Sequence, residues 1–90
     1  MVRYNDGIIN ILHLMPGEVR EWVNRERVEE ILFALTTKER TALEMRFGLV
    51  DGKKYSYEKI GEVLGMTTPG AMKLFKRTIK KVIDRSANLD

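Results

Sequence analysis

The basic side chains of this chain gather in its C-terminal third, where their number suits one kind of chemistry, the binding of a polyanion. Residues 66–90 hold six bases against two acids, a net charge of +4. Residues 18–52 hold six bases against eight acids, a net charge of −2. A basic third on a near-neutral body is typical of proteins that bind nucleic acid, and the alternative is a solvated helix face. The six bases are Lys73, Lys76, Arg77, Lys80, Lys81 and Arg85.

The sequence holds no set of side chains suited to catalysis or to metal binding. It has one histidine, His13, and no cysteine, so a zinc or iron–sulfur site lacks ligands. Its acids are scattered over charged helix faces, and no glycine-rich phosphate loop follows a strand. We therefore expect a protein that is not an enzyme and that uses neither a metal nor a cofactor.

Length and hydropathy predict one compact domain over residues 1–90. Ninety residues with a hydrophobic share of 43% are enough for one core. No apolar run approaches the roughly 18 residues of a membrane-spanning helix, and the N-terminus lacks the layout of a signal peptide. The absence of cysteine fits a reducing compartment. We expect a cytoplasmic protein that does not enter a membrane.

Apolar residues recur at helical spacing along nearly the whole chain, which predicts an all-α fold, a small bundle of about five helices. Asp6 caps a short first helix that ends at Pro16 and Gly17. A second helix follows over residues 18–35, with charged residues opposite an apolar stripe. We expect Trp22, on this stripe, to be a core residue. The residues of the stripe are Val19, Trp22, Val23, Val28, Ile31, Leu32 and Leu35.

Cap signals delimit the third predicted helix. Thr36 and Glu39 have the spacing of a capping box, in which each side chain accepts a hydrogen bond from the other's backbone amide. Gly48 is the expected C-cap after Phe47, because glycine adopts the left-handed conformation without a Cβ clash. We expect Leu43 and Phe47 to be buried.

The last two predicted helices have the features of a C-terminal helix-turn-helix. Ser56 caps the fourth helix, and Thr67 or Thr68 caps the fifth. The steep crossing of the two helices needs a small residue where the backbones approach, Gly61, and positive φ in the turn, at Gly65. The side chains expected to point inward from this motif are Ile60, Val63, Leu64, Met66, Ala71 and Leu74.

The second helix of such a motif lies in the major groove of DNA, with its N-terminal residues toward the base edges. The alternative is an ordinary helical hairpin that contains glycines. On the first reading, we expect the groove-facing residues to be Thr67, Thr68, Met72, Lys73 and Lys76. The expected phosphate contacts are Arg77, Lys80 and Lys81.

Two sequence blocks resemble conserved region 4 of the sigma-70 family of bacterial transcription initiation factors. They are residues 35–49, LTTKERTALEMRFGL, and residues 55–67, YSYEKIGEVLGMT. The resemblance covers about residues 25–83 and implies a helix-turn-helix that reads the −35 promoter element. It also implies an apolar cup that grips the flap-tip helix of the RNA polymerase β subunit. The partner contacts implied on this chain are Trp22, Leu32, Leu35, Leu43 and Phe47.

The recognition helix departs from the family pattern. Housekeeping members open it with arginine, glutamate and arginine, followed by arginine–glutamine, which are groups able to make bidentate base contacts. At the matching positions this chain has Thr68, Pro69, Gly70, Met72 and Lys73, of which Lys73 alone offers a charged donor. We therefore do not expect this chain to recognise the usual −35 sequence.

These observations predict a DNA-binding transcription regulator that binds promoter-type DNA, the polymerase β-flap, or both. One alternative is a protein-binding decoy of RNA polymerase without specific DNA contact. The other is a homodimeric helix-turn-helix repressor that uses residues 8–15 as its dimer face. The expected organisation is an N-terminal extension, residues 1–17, then region-4.1-like helices, 18–50, and the helix-turn-helix, 55–85. The chain resembles a free-standing region 4 or a fragment of a split factor.

Overall fold

The computed structural model describes residues 4–87 as a bundle of helices. No strand occurs within these residues, so the predicted all-α class with a C-terminal helix-turn-helix is confirmed. A 3-10 turn, Asp6–Ile8, precedes the first α-helix. The α-helices are α1 (Ile9–His13), α2 (Gly17–Arg20), α3 (Arg25–Phe33), α4 (Thr37–Phe47), α5 (Tyr57–Leu64) and α6 (Thr68–Ala87).

The predicted second helix is divided into α2 and α3, so residues 4–87 hold six α-helices instead of about five. Asn24 has an extended backbone, and its side chain accepts a hydrogen bond of 2.9 Å from the backbone N–H of Arg27. That bond satisfies an amide of the first turn and favours a new helix start. Trp22 lies in the break and is 68% exposed. Its prediction as a core residue was wrong because the apolar stripe does not continue through the break.

The third predicted helix is confirmed as α4, with both of its caps. Thr36 Oγ1 accepts from the backbone N–H of Glu39 at 3.3 Å, and the Glu39 carboxylate accepts from the backbone N–H of Thr36 at 3.1 Å. Gly48 ends the helix with a φ of 64°. A Cβ at Gly48 would also lie 3.1 Å from the backbone of the 51–54 turn. Leu43 is fully buried, while Phe47 is half-buried.

The N-terminal segment, residues 4–15, forms part of the core. The backbone N–H of Asn5 donates to the carbonyl of Leu49 at 3.1 Å, and its side chain donates to the carbonyl of Gly48 at 2.8 Å. The Tyr4 hydroxyl donates to Glu44 at 2.7 Å. Burial, together with this hydrogen bond, raises the pKa of the Tyr4 phenol above its ordinary value. The fully buried apolar side chains of the segment are Ile8, Ile11 and Met15.

This packing changes two predictions for the N-terminus. Asn5 instead of Asp6 caps the first turn, since its side chain accepts from the backbone N–H of Gly7 at 2.8 Å. Residues 8–15 do not form a continuous apolar dimer face, because half of their large apolar side chains lie in the chain's own core. Ile9 and Leu14 remain 42% and 49% exposed.

The backbone of α5 lies directly against the turn that leads into α6. A Cβ at Gly61 would lie 2.6 Å from the carbonyl oxygen of Met66 and 3.2 Å from that of Thr67. The chain reverses at Gly65, whose φ is 71°. Val63 was predicted to point inward but is 54% exposed. The cluster at the crossing is Ala42, Ile60, Ala71 and Leu74, with Leu64 and Met66 packed against it.

We predict that Gly61→Ala destabilises the fold by about 1–3 kcal/mol, because the added methyl overpacks two backbone carbonyls that no rotamer change relieves. The matched control is Gly17→Ala, where a Cβ meets nothing within 4 Å. Thermal and urea unfolding followed by circular dichroism measures both. Equal stability of the two variants would contradict the close crossing.

Candidate nucleic-acid interface

Thr67 caps α6 and so orients its first turn. Its Oγ1 accepts a hydrogen bond from the backbone N–H of Gly70 at 3.1 Å. The sequence left Thr67 and Thr68 as equal candidates for this cap, and the structure makes Thr68 the first helical residue. Both side chains are exposed at the start of the second helix of the motif.

One outward face of α6 brings together most of the predicted DNA-binding residues. Its members share the surface of one shallow depression because residues three, four, seven and eleven positions apart lie on the same helix face. Pro69 was not predicted as a DNA-binding residue. Its spacing of three residues from Met72 is the sequence signal that could have placed it on this face. The residues of this outward face are Pro69, Met72, Lys73, Lys76, Arg77 and Lys80.

The four cations of the outward face are exposed and carry uncompensated charge. Within residues 4–87, none of Lys73, Lys76, Arg77 and Lys80 forms an ion pair. The ion pairs of Arg25 and Arg27 lie instead on α3 and at the N-terminal turn. The positive potential of the chain is therefore concentrated along α6, although Asp84 lines a neighbouring depression together with Arg77 and Lys80.

Lys81 lies on a different side of α6 and is bound to an acid. Its Nζ is 2.6 Å from the buried carboxylate of Glu39, at the start of α4. Lys81 was predicted as a phosphate contact, and the structure instead places its ammonium between α4 and α6. One helical position rotates a side chain by about 100°, which separates it from the outward-facing Lys80.

The environment of Glu39 favours its charged form. The hydrogen bond from Lys81, joined by those from Thr36, holds the pKa of the Glu39 carboxyl below its ordinary value against the opposing effect of burial. An acid with a lowered pKa stabilises the fold above its ordinary pKa. That stabilisation is lost as the pH falls through the lower, folded-state value.

A second depression lies near the junction of α1, α4, α5 and α6. Phe75 contacts two other rings in it, with centroids 5.6 Å from Phe47 and 5.7 Å from Tyr57. The Arg46 guanidinium lies 4.3 Å from the centroid of Tyr57. Of these residues, Phe47 alone was predicted as a partner contact. The residues of this aromatic groove are Asn10, Leu14, Arg46, Phe47, Lys54, Tyr57 and Phe75.

Most of the predicted partner contacts lie inside the core. Leu32 and Leu43 are fully buried, and Leu35 is nearly so. They pack in one cluster with the N-terminal residues Tyr4 and Ile8, among others. As folded, these three leucines offer no surface to a partner, because the N-terminal segment and α6 already cover them. Trp22 and Phe47 remain accessible.

Neither a membrane span nor a metal cluster is found in the described part of the chain. No helix within residues 4–87 is long and apolar enough to cross a membrane. No group of three or more acids or histidines in the same range is arranged to hold a metal ion.

We predict that Glu39→Gln lowers the free energy of unfolding by about 1.5–3 kcal/mol at neutral pH, through loss of the charged hydrogen bond with Lys81. Glutamine still fits the capping box, so the cap itself is retained. The difference from the parent chain should shrink as the pH falls below 4.5, the ordinary value for this carboxyl. Urea unfolding over a pH series measures this difference in stability. The control is Glu62→Gln, which changes an exposed acid. A difference independent of pH would be evidence against the ion pair.

Comparison with known proteins finds the family described as Sigma-70, region 4, which matches residues 31–82. The chain is 33% identical over 58 residues to RNA polymerase sigma factor SigA of a Bacillus species, covering 64% of this chain and 15% of that relative. The protein of the same name from Listeria monocytogenes serovar 1/2a is 33% identical over 58 residues, covering 64% and 16%.

The chain therefore spans 15–16% of the length of these curated relatives. No solved structure gives a significant match. The family match begins in α3 and ends in α6, so it contains α4, α5 and the first 15 of the 20 residues of α6. This chain belongs to the sigma-70 region 4 family.

Proposed function

We propose that this chain binds double-stranded DNA through the outward face of α6 and acts in the initiation of transcription. The observation that carries the proposal is a row of four unpaired cations on the second helix of a helix-turn-helix. Membership of the sigma-70 region 4 family supports it, as do the relatives described as RNA polymerase sigma factors.

The dimensions of the outward face suit a major groove. From Lys73 to Lys80 the helix advances seven residues, which is about 10 Å at 1.5 Å per residue. A helix of about 10–12 Å in diameter enters a groove about 12 Å wide. With α6 in the groove, all four cations lie within reach of phosphates, and Lys73 and Lys76 are the two nearer the base edges.

We predict that the association constant for a DNA duplex falls with salt. A plot of its logarithm against the logarithm of the salt concentration should have a slope of about −3 to −4, as expected for four neutralised phosphates. Replacing Lys73 and Lys76 with alanine should weaken binding and reduce the slope by about 2, because each lost phosphate contact removes about 1. Fluorescence anisotropy with a labelled duplex measures both quantities.

Two controls make this test specific to the outward face. Lys38→Ala removes one exposed lysine from the start of α4 and should leave affinity and slope nearly unchanged. Lys80→Gln should weaken DNA binding with little change in Tm, whereas Lys81→Gln should lower Tm because it breaks the pair with Glu39. Equal loss of affinity in Lys38→Ala and in Lys76→Ala would disprove the assignment of the binding face.

We further propose that RNA polymerase binds at the aromatic groove. The groove combines half-buried rings, which offer apolar contact area, with the exposed Leu14 at its edge. Arg46 and Lys54 at the same site suit an acidic partner segment. The polymerase β-flap is the partner that family membership favours, and the groove replaces the three buried leucines as its contact surface.

We predict that Leu14→Glu abolishes binding to the isolated β-flap of a Bacillus RNA polymerase, because a carboxylate then lies at the edge of an apolar contact. Ile9→Glu is the matched control, since Ile9 is similarly exposed on α1 but does not line the groove. Isothermal titration calorimetry measures binding, and thermal unfolding verifies the fold. Flap binding retained by Leu14→Glu would exclude the groove.

The two alternatives drawn from the sequence give different outcomes in the same experiments. A decoy of polymerase binds the flap and shows no DNA affinity at any salt concentration. A homodimeric repressor binds DNA and has twice the monomer mass in solution, measured by light scattering. Binding of DNA by a monomer favours the proposal over both.

A further inference from the structure

The N-terminal end of the outward face of α6 is apolar. Pro69 is exposed and Met72 is half-exposed, and the two lie one helical turn apart in the same depression. The lysines and the arginine of the outward face follow this apolar pair along the helix, from Lys73 to Lys80. The two side chains therefore offer apolar contact area at the N-terminal end of the second helix, which is the end that meets the base edges.

The start of α6 offers few groups for polar recognition of bases. Residues 66–76 contain no arginine, asparagine, glutamine or acid, which are the side chains that form bidentate contacts with base edges. The Thr67 hydroxyl oxygen already accepts the capping hydrogen bond from Gly70. Polar discrimination therefore falls largely to Lys73 and Lys76, each of which bonds as a compact point charge without fixed geometry.

We infer that Pro69 and Met72 read the DNA sequence through the C5-methyl group of thymine. This inference rests on the proposed DNA-binding function and names the chemical group on DNA that the outward face of α6 selects. A methyl group on C5 is the apolar feature that the major groove presents to a protein. Because the N-terminal residues of the second helix face the base edges, the apolar pair at the start of α6 lies toward the floor of the groove, and the cations that follow it reach the phosphates. The polarisable, unbranched side chain of Met72 adapts to the position of the methyl group.

The test compares duplexes that differ in methyl groups alone. The full chain is titrated with a non-repeating A·T duplex of about 21 base pairs, two helical turns, and with the same duplex in which uracil replaces every thymine. We expect the thymine duplex to bind about fourfold tighter for each methyl that is buried. A G·C duplex with 5-methylcytosine in place of cytosine should likewise bind tighter than its unmethylated form.

Two variants assign the effect to the apolar pair. Met72→Ala should bring the thymine and uracil duplexes to the same affinity while keeping the salt slope, because no cation is lost. Met66→Ala is the matched control, since Met66 packs at the helix crossing instead of on the outward face, and it should keep the preference for thymine. Thermal unfolding of both variants verifies that they remain folded at the temperature of the titration.

The outcomes separate this inference from the function on which it rests. Equal binding of the thymine and uracil duplexes by the parent chain, with a steep salt slope, overturns methyl recognition and leaves DNA binding in place. A thymine preference that persists in Met72→Ala also overturns it. No binding to any duplex at low salt overturns the proposed function together with the inference.

Discussion

The close backbone approach at Gly61 is the constraint on which the orientation of the candidate DNA-binding helix depends. The space where a Cβ would lie is 2.6 Å from the Met66 carbonyl oxygen, so α5 lies directly against the turn that leads into α6. Gly65 then reverses the chain with a φ of 71°. Because these contacts are made by backbone atoms, they set the angle of α6 independently of its surface residues. The outward face of α6 is thus free to differ from that of relatives while its placement is retained.

A buried acid links the helix-turn-helix to the rest of the bundle. Glu39 belongs to the capping box of α4, and it also accepts the hydrogen bond of Lys81 from α6. A buried carboxylate is costly without a cation, so the position of Lys81 on α6 is a requirement of the fold. Within residues 4–87 the neighbouring Lys80 forms no ion pair, so its charge is available to a ligand. Of these two adjacent lysines, Lys81 stabilises the fold and Lys80 is the one proposed to bind DNA.

The N-terminal segment covers one apolar surface and adds to another. Tyr4 and Ile8 close the core over Leu32 and Leu43, although the family match begins only at residue 31. The same segment continues to Leu14, which lines the aromatic groove beside α4, α5 and α6. The apolar surface that remains exposed therefore lies at the edge of the bundle instead of in its middle. The N-terminal segment contributes Leu14 to this surface.

Elements whose signals lie within three or four residues were predictable from the sequence. Thr36, Glu39 and Gly48 predicted both ends of α4, and Gly61 and Gly65 predicted the crossing, because caps and tight turns are local interactions. The tertiary structure decided the rest. Asn24 divides an apolar stripe that reads as continuous, and the pair of Lys81 with Glu39 joins residues 42 positions apart. Which lysine faces a ligand and which leucine faces a partner depend on such distant contacts, and helical periodicity alone does not encode them.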